Sequence, residues 1–243
     1  MPTEAEWQLR FEHAQNNPSE VVLDGIHALK HAIRFGADVH HAVTPDREAL
    51  LHLAGRVAPD LLPQIGQTVS LVSPECFTQL TRRPPGSPVL SIAAVPPANT
   101  AGVPTGLGVV LFEPRHAGNA GAVIRVAAAA GASAVLVTGP MNVWSTPVVR
   151  AAAGLHYALE VANVQWPLER SRPVIAFDPD EGDTDHWSIP DNALLVFGGE
   201  RHGLPPAVLN SADRMLRIPM RTGVSSLNLA TSVAVALYSR SKS

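Results

Sequence analysis

The chain has 243 residues, a formal net charge of −3 and a pI near 6.3, with 46% hydrophobic and 16% charged residues. This is enough material for one large or two small domains with a packed core, while the longest apolar runs, such as Gly106 to Phe112, are too short to span a bilayer. A single cysteine, Cys76, excludes an internal disulfide and a cysteine-based zinc cluster, and the acidic N-terminus lacks the charged-then-apolar order of a signal peptide, so a cytoplasmic protein without membrane attachment is expected.

In chain order, Glu4 to Ala14 reads as a helix, and Gly25 to Phe35 as a second one, with Ile26, Leu29, Ala32 and Ile33 on one face. Val39 to Val43 is a short strand, Pro45-Asp46 opens a helix to about Gly55, and Thr68 to Val72 is a strand. Ser73 before Pro74-Glu75 is a helix start, and Cys76 behind it reads as a buried small hydrophobe. Arg82 to Pro88 is a loop, and Val89 to Val95 closes this first α/β region, residues 1–95. His27 and His31 are spaced i, i+4, and His40-His41 follow; such pairs are more often packing or surface groups than metal ligands. The Pro- and Gly-rich stretch 96–105 has no apolar periodicity and reads as a linker.

Residues 106–243 alternate more strongly. Leu107 to Phe112, Ala134 to Thr138, Pro173 to Phe177, Ala193 to Phe197 and Met215 to Ile218 read as strands; Asn119 to Ala130, Thr146 to Ala153 and Ser226 to Tyr238 read as helices. Strands alternating with helices predict an α/β fold with a mostly parallel sheet covered on both faces. Charge is uneven: residues 1–95 hold 7 Lys+Arg against 10 Asp+Glu, and residues 106–243 hold 11 against 11. Arg supplies 16 of the 18 basic groups, which suits planar phosphate contacts without requiring them.

Three segments carry candidate chemistry, and each follows a strand, where ligands of open α/β sheets bind. The first, Phe112 to Arg125, contains Gly118 and Gly121 but no Gly-x-Gly-x-x-Gly, which excludes a nicotinamide dinucleotide site. Asn119 could simply cap the helix, whereas Arg125, among Val123, Ile124, Val126 and Ala127, calls for a partner. In the second, Leu194 to Pro205, Gly198 and Gly199 would let a ligand approach the backbone, with Glu200 at the sheet edge. In the third, Ile218 to Ala230, Ser225 or Ser226 could cap the last helix, whose free N–H groups could hold a carboxylate.

Together these segments resemble the SpoU (TrmH) family of RNA 2′-O-ribose methyltransferases, of the SPOUT class. Asn119, Gly121 and Arg125 match its Asn-x-Gly-x-x-x-Arg motif. Gly198, Glu200, Gly203 and Leu204 match Gly-x-Glu-x-x-Gly-Leu. Ile218-Pro219-Met220 and Ser226-Leu227-Asn228 match Ile-Pro-Met…Ser-Leu-Asn, with Ser225 where many members have Glu. Ser145 to Ala151 resembles its Ser-x-x-x-x-Arg-Ala stretch, and Leu23 to Lys30 the start of its accessory domain, with Asp24 for the commoner Glu.

The resemblance implies a C-terminal trefoil-knot domain, a homodimer, S-adenosylmethionine as cofactor and RNA, ribosomal or transfer, as substrate. An accessory domain like small RNA-binding ribosomal proteins would occupy residues 1–95. It assigns catalysis to Asn119, Arg125, Glu200, Ser226 and Asn228, and cofactor binding to Leu195, Phe197, Gly198, Gly199, Ile218, Met220, Ser226 and Leu227, with no metal. Arg125 would act as base or, because a guanidinium hardly deprotonates, as a clamp on the neighbouring phosphate. The alternatives are a SPOUT enzyme acting on a base, and an RNA-binding protein that has lost activity.

Overall fold

The structure is a computed structural model and describes residues 2–81, 83, 85–97, 104–168, 172–185 and 187–239. In chain order the elements are α1 (Glu4–Asn16), β1 (Glu20–Asp24), α2 (Ile26–Arg34), β2 (Val39–Thr44), α3 (Arg47–Val57), α4 (Leu62–Thr68), β3 (Val69–Leu71), α5 (Pro74–Gln79) and β4 (Leu90–Ala94). There follow β5 (Gly108–Phe112), α6 (Ala117–Ala129), β6 (Ala134–Val137), α7 (Thr146–Ala151), β7 (Glu160–Asn163), β8 (Val174–Phe177), β9 (Leu194–Gly198), α8 (Pro206–Leu209), β10 (Arg214–Leu216) and α9 (Leu229–Tyr238). The loop at 82–88 and the linker at 96–105 fall partly outside the described residues. The chain forms two compact units, residues 1–98 with 144–158, and residues 99–143 with 159–243.

In the first unit a four-stranded sheet has the order β1-β4-β2-β3, with β4 antiparallel to both neighbours and β2 parallel to β3. Its helix starts follow local rules. Thr3 and Glu6 form a reciprocal capping box on α1, and Ser73 accepts from the Cys76 N–H with Pro74 in the first turn of α5. Trp7, Phe11, Cys76 and Phe77 pack with Leu90 and Ile92 in one core cluster. Strand β1, Glu-Val-Val-Leu-Asp, has its polar ends half-buried and its apolar centre buried, and lacks the alternation that would mark it in the sequence.

Residues 144–158 complete this unit. Arg150 pairs with Asp24, whose side chain is only 3% exposed. His31 Nδ1 donates to the Ala153 carbonyl at 2.7 Å, and the Tyr157 hydroxyl donates to the Ala94 carbonyl at 2.9 Å. Gly154, at φ 72°, has no room for a side chain: a Cβ would lie 2.6 Å from the Ala28 carbonyl oxygen. Val149 joins the buried cluster of Val21, Leu23 and Ala28.

The second unit holds a six-stranded sheet, β10-β8-β9-β5-β6-β7, with every pairing parallel. Its central strands are buried along nearly their whole length, as a parallel sheet covered on both faces requires. From β5 the chain builds outward through β6 to β7, then returns to build β8, β9 and β10 on the other side, so β5 and β9 meet where the order reverses. In open α/β sheets that crevice is where ligands bind. Helix α6 packs against α9; Ala120, Val123, Ile124 and Ala127 are buried on one and Val233, Ala236 and Leu237 on the other.

Two helix starts differ from expectation. Helix α6 begins at Ala117 with His116 as its N-cap residue, so Asn119 lies inside the first turn and does not cap it. Helix α9 begins at Leu229 and is capped by Asn228, not by Ser225 or Ser226.

Candidate functional site

The strand ends at the β5–β9 junction bring three distant segments into one hydrogen-bonded relay. The Asn119 amide donates to Glu200 Oε1 at 2.7 Å, and the Arg115 backbone N–H donates to Glu200 Oε2 at 2.9 Å. The Asn228 amide in turn donates to Asn119 Oδ1 at 3.0 Å. Asn228 Oδ1 accepts from the N–H groups of Ala230 and Thr231 at 2.9 and 3.3 Å, the cap of α9. Both side-chain amides are thereby oriented: each uses its oxygen toward one neighbour and its nitrogen toward the next. The cap also occupies the N–H groups expected to be open to a ligand carboxylate.

Glu200 ends the relay as its anion. Partial burial pushes its carboxyl pKa up. Hydrogen bonds from the Arg115 N–H, the Asn119 amide and the N–H groups of Glu200 and His116 outweigh that, and the result lies below the usual carboxylate range.

Beside the relay is a cavity of about 460 Å³, within the size range of small-molecule sites. Of the residues assigned to a cofactor, Phe197, Gly198, Gly199, Ile218, Met220, Ser226 and Leu227 line it, as do Glu200 and Asn228. Leu195 does not: it is fully buried inside β9, where it pairs in register with Val109 and Ile175. Gly198 and Gly199 face the cavity, but their missing side chains serve the chain itself. A Cβ on Gly198 would lie 2.2 Å from the Gly203 carbonyl carbon, and one on Gly199 would lie 2.5 Å from the Glu113 carbonyl oxygen. Gly198 lets its own loop fold back onto Gly203, and Gly199 lets the loop lie against the end of β5 at Phe112 and Glu113, where Glu113 has φ 49°.

Arg125 stands apart. It is exposed, forms no hydrogen bond or ion pair among the described residues and does not line the cavity. Six residues beyond Asn119 on α6, it lies roughly 9 Å further along the helix and on a different face. Its place on an apolar helix is explained by exposure, not by a buried partner.

The cavity also contains residues that sequence reading missed: Phe177 at the end of β8, Asp178 and Pro179 after it, Arg201, and Leu229 and Ser232 on α9. The Phe177 and Phe197 rings stack with centroids 4.6 Å apart. Asp178-Pro179 follows a buried strand just as Glu200 does, and that position was the available signal.

The fit to S-adenosylmethionine rests on this lining. Apolar and aromatic surface for a purine lies beside the backbone of 198–200 and the hydroxyl of Ser226, with the Asp178 and Glu200 carboxylates alongside as hydrogen-bond acceptors.

Comparison with known proteins adds a family and relatives. The SpoU rRNA Methylase family matches residues 106–238. The 23S rRNA (uridine(2479)-2′-O)-methyltransferase of Streptomyces viridochromogenes is 26% identical over 96% of this chain and 87% of its own. The tRNA (cytidine(34)-2′-O)-methyltransferase of Aeromonas hydrophila is 36% identical, over 54% of this chain and 90% of its own. The AdoMet-bound rRNA methyltransferase of Sinorhizobium meliloti superposes with a TM-score of 0.73 at 25% identity, covering 98% of this chain and 93% of the other.

Proposed function

Because the chain belongs to the SpoU rRNA Methylase family, we propose that it transfers the methyl group of S-adenosylmethionine to a ribose 2′-hydroxyl of structured RNA. The observation that carries this reading is the Glu200–Asn119–Asn228 relay at the rim of the cavity, which joins all three family motifs.

When bound, the cofactor supplies an electrophilic methyl group. The cavity lining from Phe197 to Gly199, with Ile218, Met220 and Leu227, would hold it, and the Ser226 hydroxyl would orient its polar part. Glu200 and Asn119 hold the loop after β5 and the loop after β9 in one geometry, so the ribose meets a preformed edge. Arg125, exposed and without an ion pair among the described residues, would hold an RNA phosphate and align the 2′-hydroxyl; a guanidinium is a poor proton acceptor. The distance between Arg125 and the relay within one chain supports a homodimer in which a second copy completes the site.

Ribosomal RNA is the favoured substrate. The ribosomal RNA relative aligns over 96% of the chain, the first unit included, whereas the transfer RNA relative aligns over 54%. The first unit, residues 1–95 with its returning segment, serves as the accessory RNA-binding domain. The family membership of residues 106–238 is what supports a trefoil knot formed by the loops at 195–200 and 218–228. No helix among the described residues is long and apolar enough to cross a membrane, which is compatible with a cytoplasmic enzyme.

The test combines calorimetry with S-adenosylmethionine and transfer of labelled methyl groups to total ribosomal and transfer RNA, followed by mapping of ribose methylation. The expected result is cofactor binding and label at a ribose 2′-oxygen in ribosomal RNA. No binding heat at millimolar cofactor, or label on a base, would overturn the reading.

A further inference from the structure

The loop after β8 presents a carboxylate to the cavity that none of the three motifs contains. Asp178 is the first residue past that strand and lines the cavity. Its backbone N–H donates to the Leu216 carbonyl at 3.1 Å. Its Oδ1 accepts from the N–H groups of Asp180 and Glu181 at 2.9 and 3.1 Å. Among the described residues Oδ2 has no hydrogen-bond partner.

The loop around it is fixed at its far end as well. The Asp183 N–H donates to the Met215 carbonyl at 3.0 Å, and the Arg217 N–H donates to the Asp183 carbonyl at 2.9 Å. Gly182, at φ 119°, has no space for a Cβ, which would lie 2.8 Å from the Met215 carbonyl carbon. Pro179 further restricts the backbone of Asp178. A carboxylate held this way offers one acceptor oxygen in a fixed place, without the entropy of ordering a free side chain.

The position selects what that oxygen meets. Strand order places β8 on the side of β9 away from β5, so Asp178 lies one strand further from Asn119 than Glu200 does, a step of about 4.8 Å. If the reacting methyl lies by the relay, Asp178 faces the next part of the cofactor, the adenosine ribose, beside the stacked Phe177 and Phe197 rings. Ribose hydroxyls are neutral donors, and an ionised carboxylate is an acceptor only. An acidic residue on a ribose hydroxyl at a strand end is also the physical solution used by dinucleotide-binding sheets.

We propose that Asp178 Oδ2 accepts a hydrogen bond from a ribose hydroxyl of the cofactor's adenosine, making it a determinant of cofactor binding; this rests on the methyltransferase reading. The test is calorimetric, on the full chain, with S-adenosylhomocysteine and its 2′-deoxy and 3′-deoxy analogues. Wild type is expected to bind the parent and to bind one deoxy analogue about tenfold more weakly. Asp178→Ala is expected to bind the parent about tenfold more weakly and to lose discrimination against that analogue. Asp178→Asn keeps an oxygen for the Asp180 and Glu181 N–H groups, so it should retain the wild-type melting temperature while losing affinity several-fold.

Unchanged affinity in both variants would overturn the proposal, as would full deoxy discrimination in Asp178→Ala. Loss of preference for S-adenosylmethionine over S-adenosylhomocysteine without any ribose effect would also overturn it, placing the carboxylate at the sulfonium. If wild type binds neither compound, it is the methyltransferase reading that fails.

Discussion

The two units use the same ingredients, strands alternating with helices, and arrive at different electrostatics. In the first unit charged groups answer one another locally. Glu20 receives His13 and His40, each at 3.1 Å; Arg34 holds Asp60; Arg10 meets His41. In the second unit Arg115, Arg125, Arg201 and Arg221 are all exposed, and their side chains have no ion pair among the described residues. Sheet geometry contributes to the contrast. An all-parallel sheet sends its carboxyl ends to one edge, where ligand-binding loops collect, while the mixed sheet distributes its ends to both edges. A net charge of −3 therefore says little about RNA affinity, because these four exposed arginines of the second unit are available although Arg214 there pairs with Asp183 at 3.7 Å.

Changes at the parallel edge should affect transfer, and changes in the first unit should affect stability. The largest effect is expected from Arg125→Ala: methyl transfer should fall about 100-fold or more while cofactor affinity by calorimetry stays within about twofold. Full turnover would remove Arg125 from the site. Next, Asn228→Ala breaks the relay and the α9 cap together. Turnover should drop by about tenfold or more, and urea unfolding should show a loss of about 1 kcal/mol; Asn119→Ala should lose turnover with less effect on stability.

In the first unit, Arg150→Ala leaves Asp24 buried without its cation. The expected destabilisation is about 2–3 kcal/mol by urea unfolding, below the range for a fully buried pair because Arg150 is 33% exposed. Cofactor binding should be spared. A variant as stable as wild type would contradict the role given to that pair.

Glu200 gives a pH signature. Its folded pKa lies below the unfolded value, so its contribution to stability is present above the usual carboxylate pKa and is lost as pH falls through the folded one. Glu200→Gln should flatten that part of the acid limb, measured as unfolding free energy from neutral pH to about pH 3; an unchanged limb would mean that other carboxylates account for it. The smallest effect is that of Arg221→Ala, which should weaken RNA binding a few-fold and reduce the salt slope by about one.

Much of this architecture can be read from the residues. The apolar runs at 107–112 and 193–197 became the central strands, and Ser73-Pro74 became a helix start with the expected cap. The motif residues Asn119, Glu200 and Asn228 stand within hydrogen-bonding distance. What could not be read depends on long-range contact. No local pattern says that Asn228 rather than Ser226 caps α9, because both types cap well and the residue that does so is also held by Asn119 of the neighbouring helix α6. The reason for Gly198 and Gly199 is likewise invisible, since it lies in Gly203 and Glu113. Leu195, which the resemblance assigns to the cofactor, lies inside β9, and only the carboxyl end of that strand, Phe197 and Gly198, lines the cavity.

The segment 144–158, which leaves the second unit's sequence to complete the first, has a consequence for synthesis. Val149, Arg150, Gly154 and Tyr157 belong to the fold of the N-terminal unit, so that unit cannot finish folding when its first 98 residues emerge. It must wait, with Asp24 unpaired and the surface over Ala28 uncovered, until residue 158 has left the ribosome. A gene cut between the two sheets would therefore yield two incomplete products, and residues 1–98 should be prepared with 144–158 supplied as a peptide.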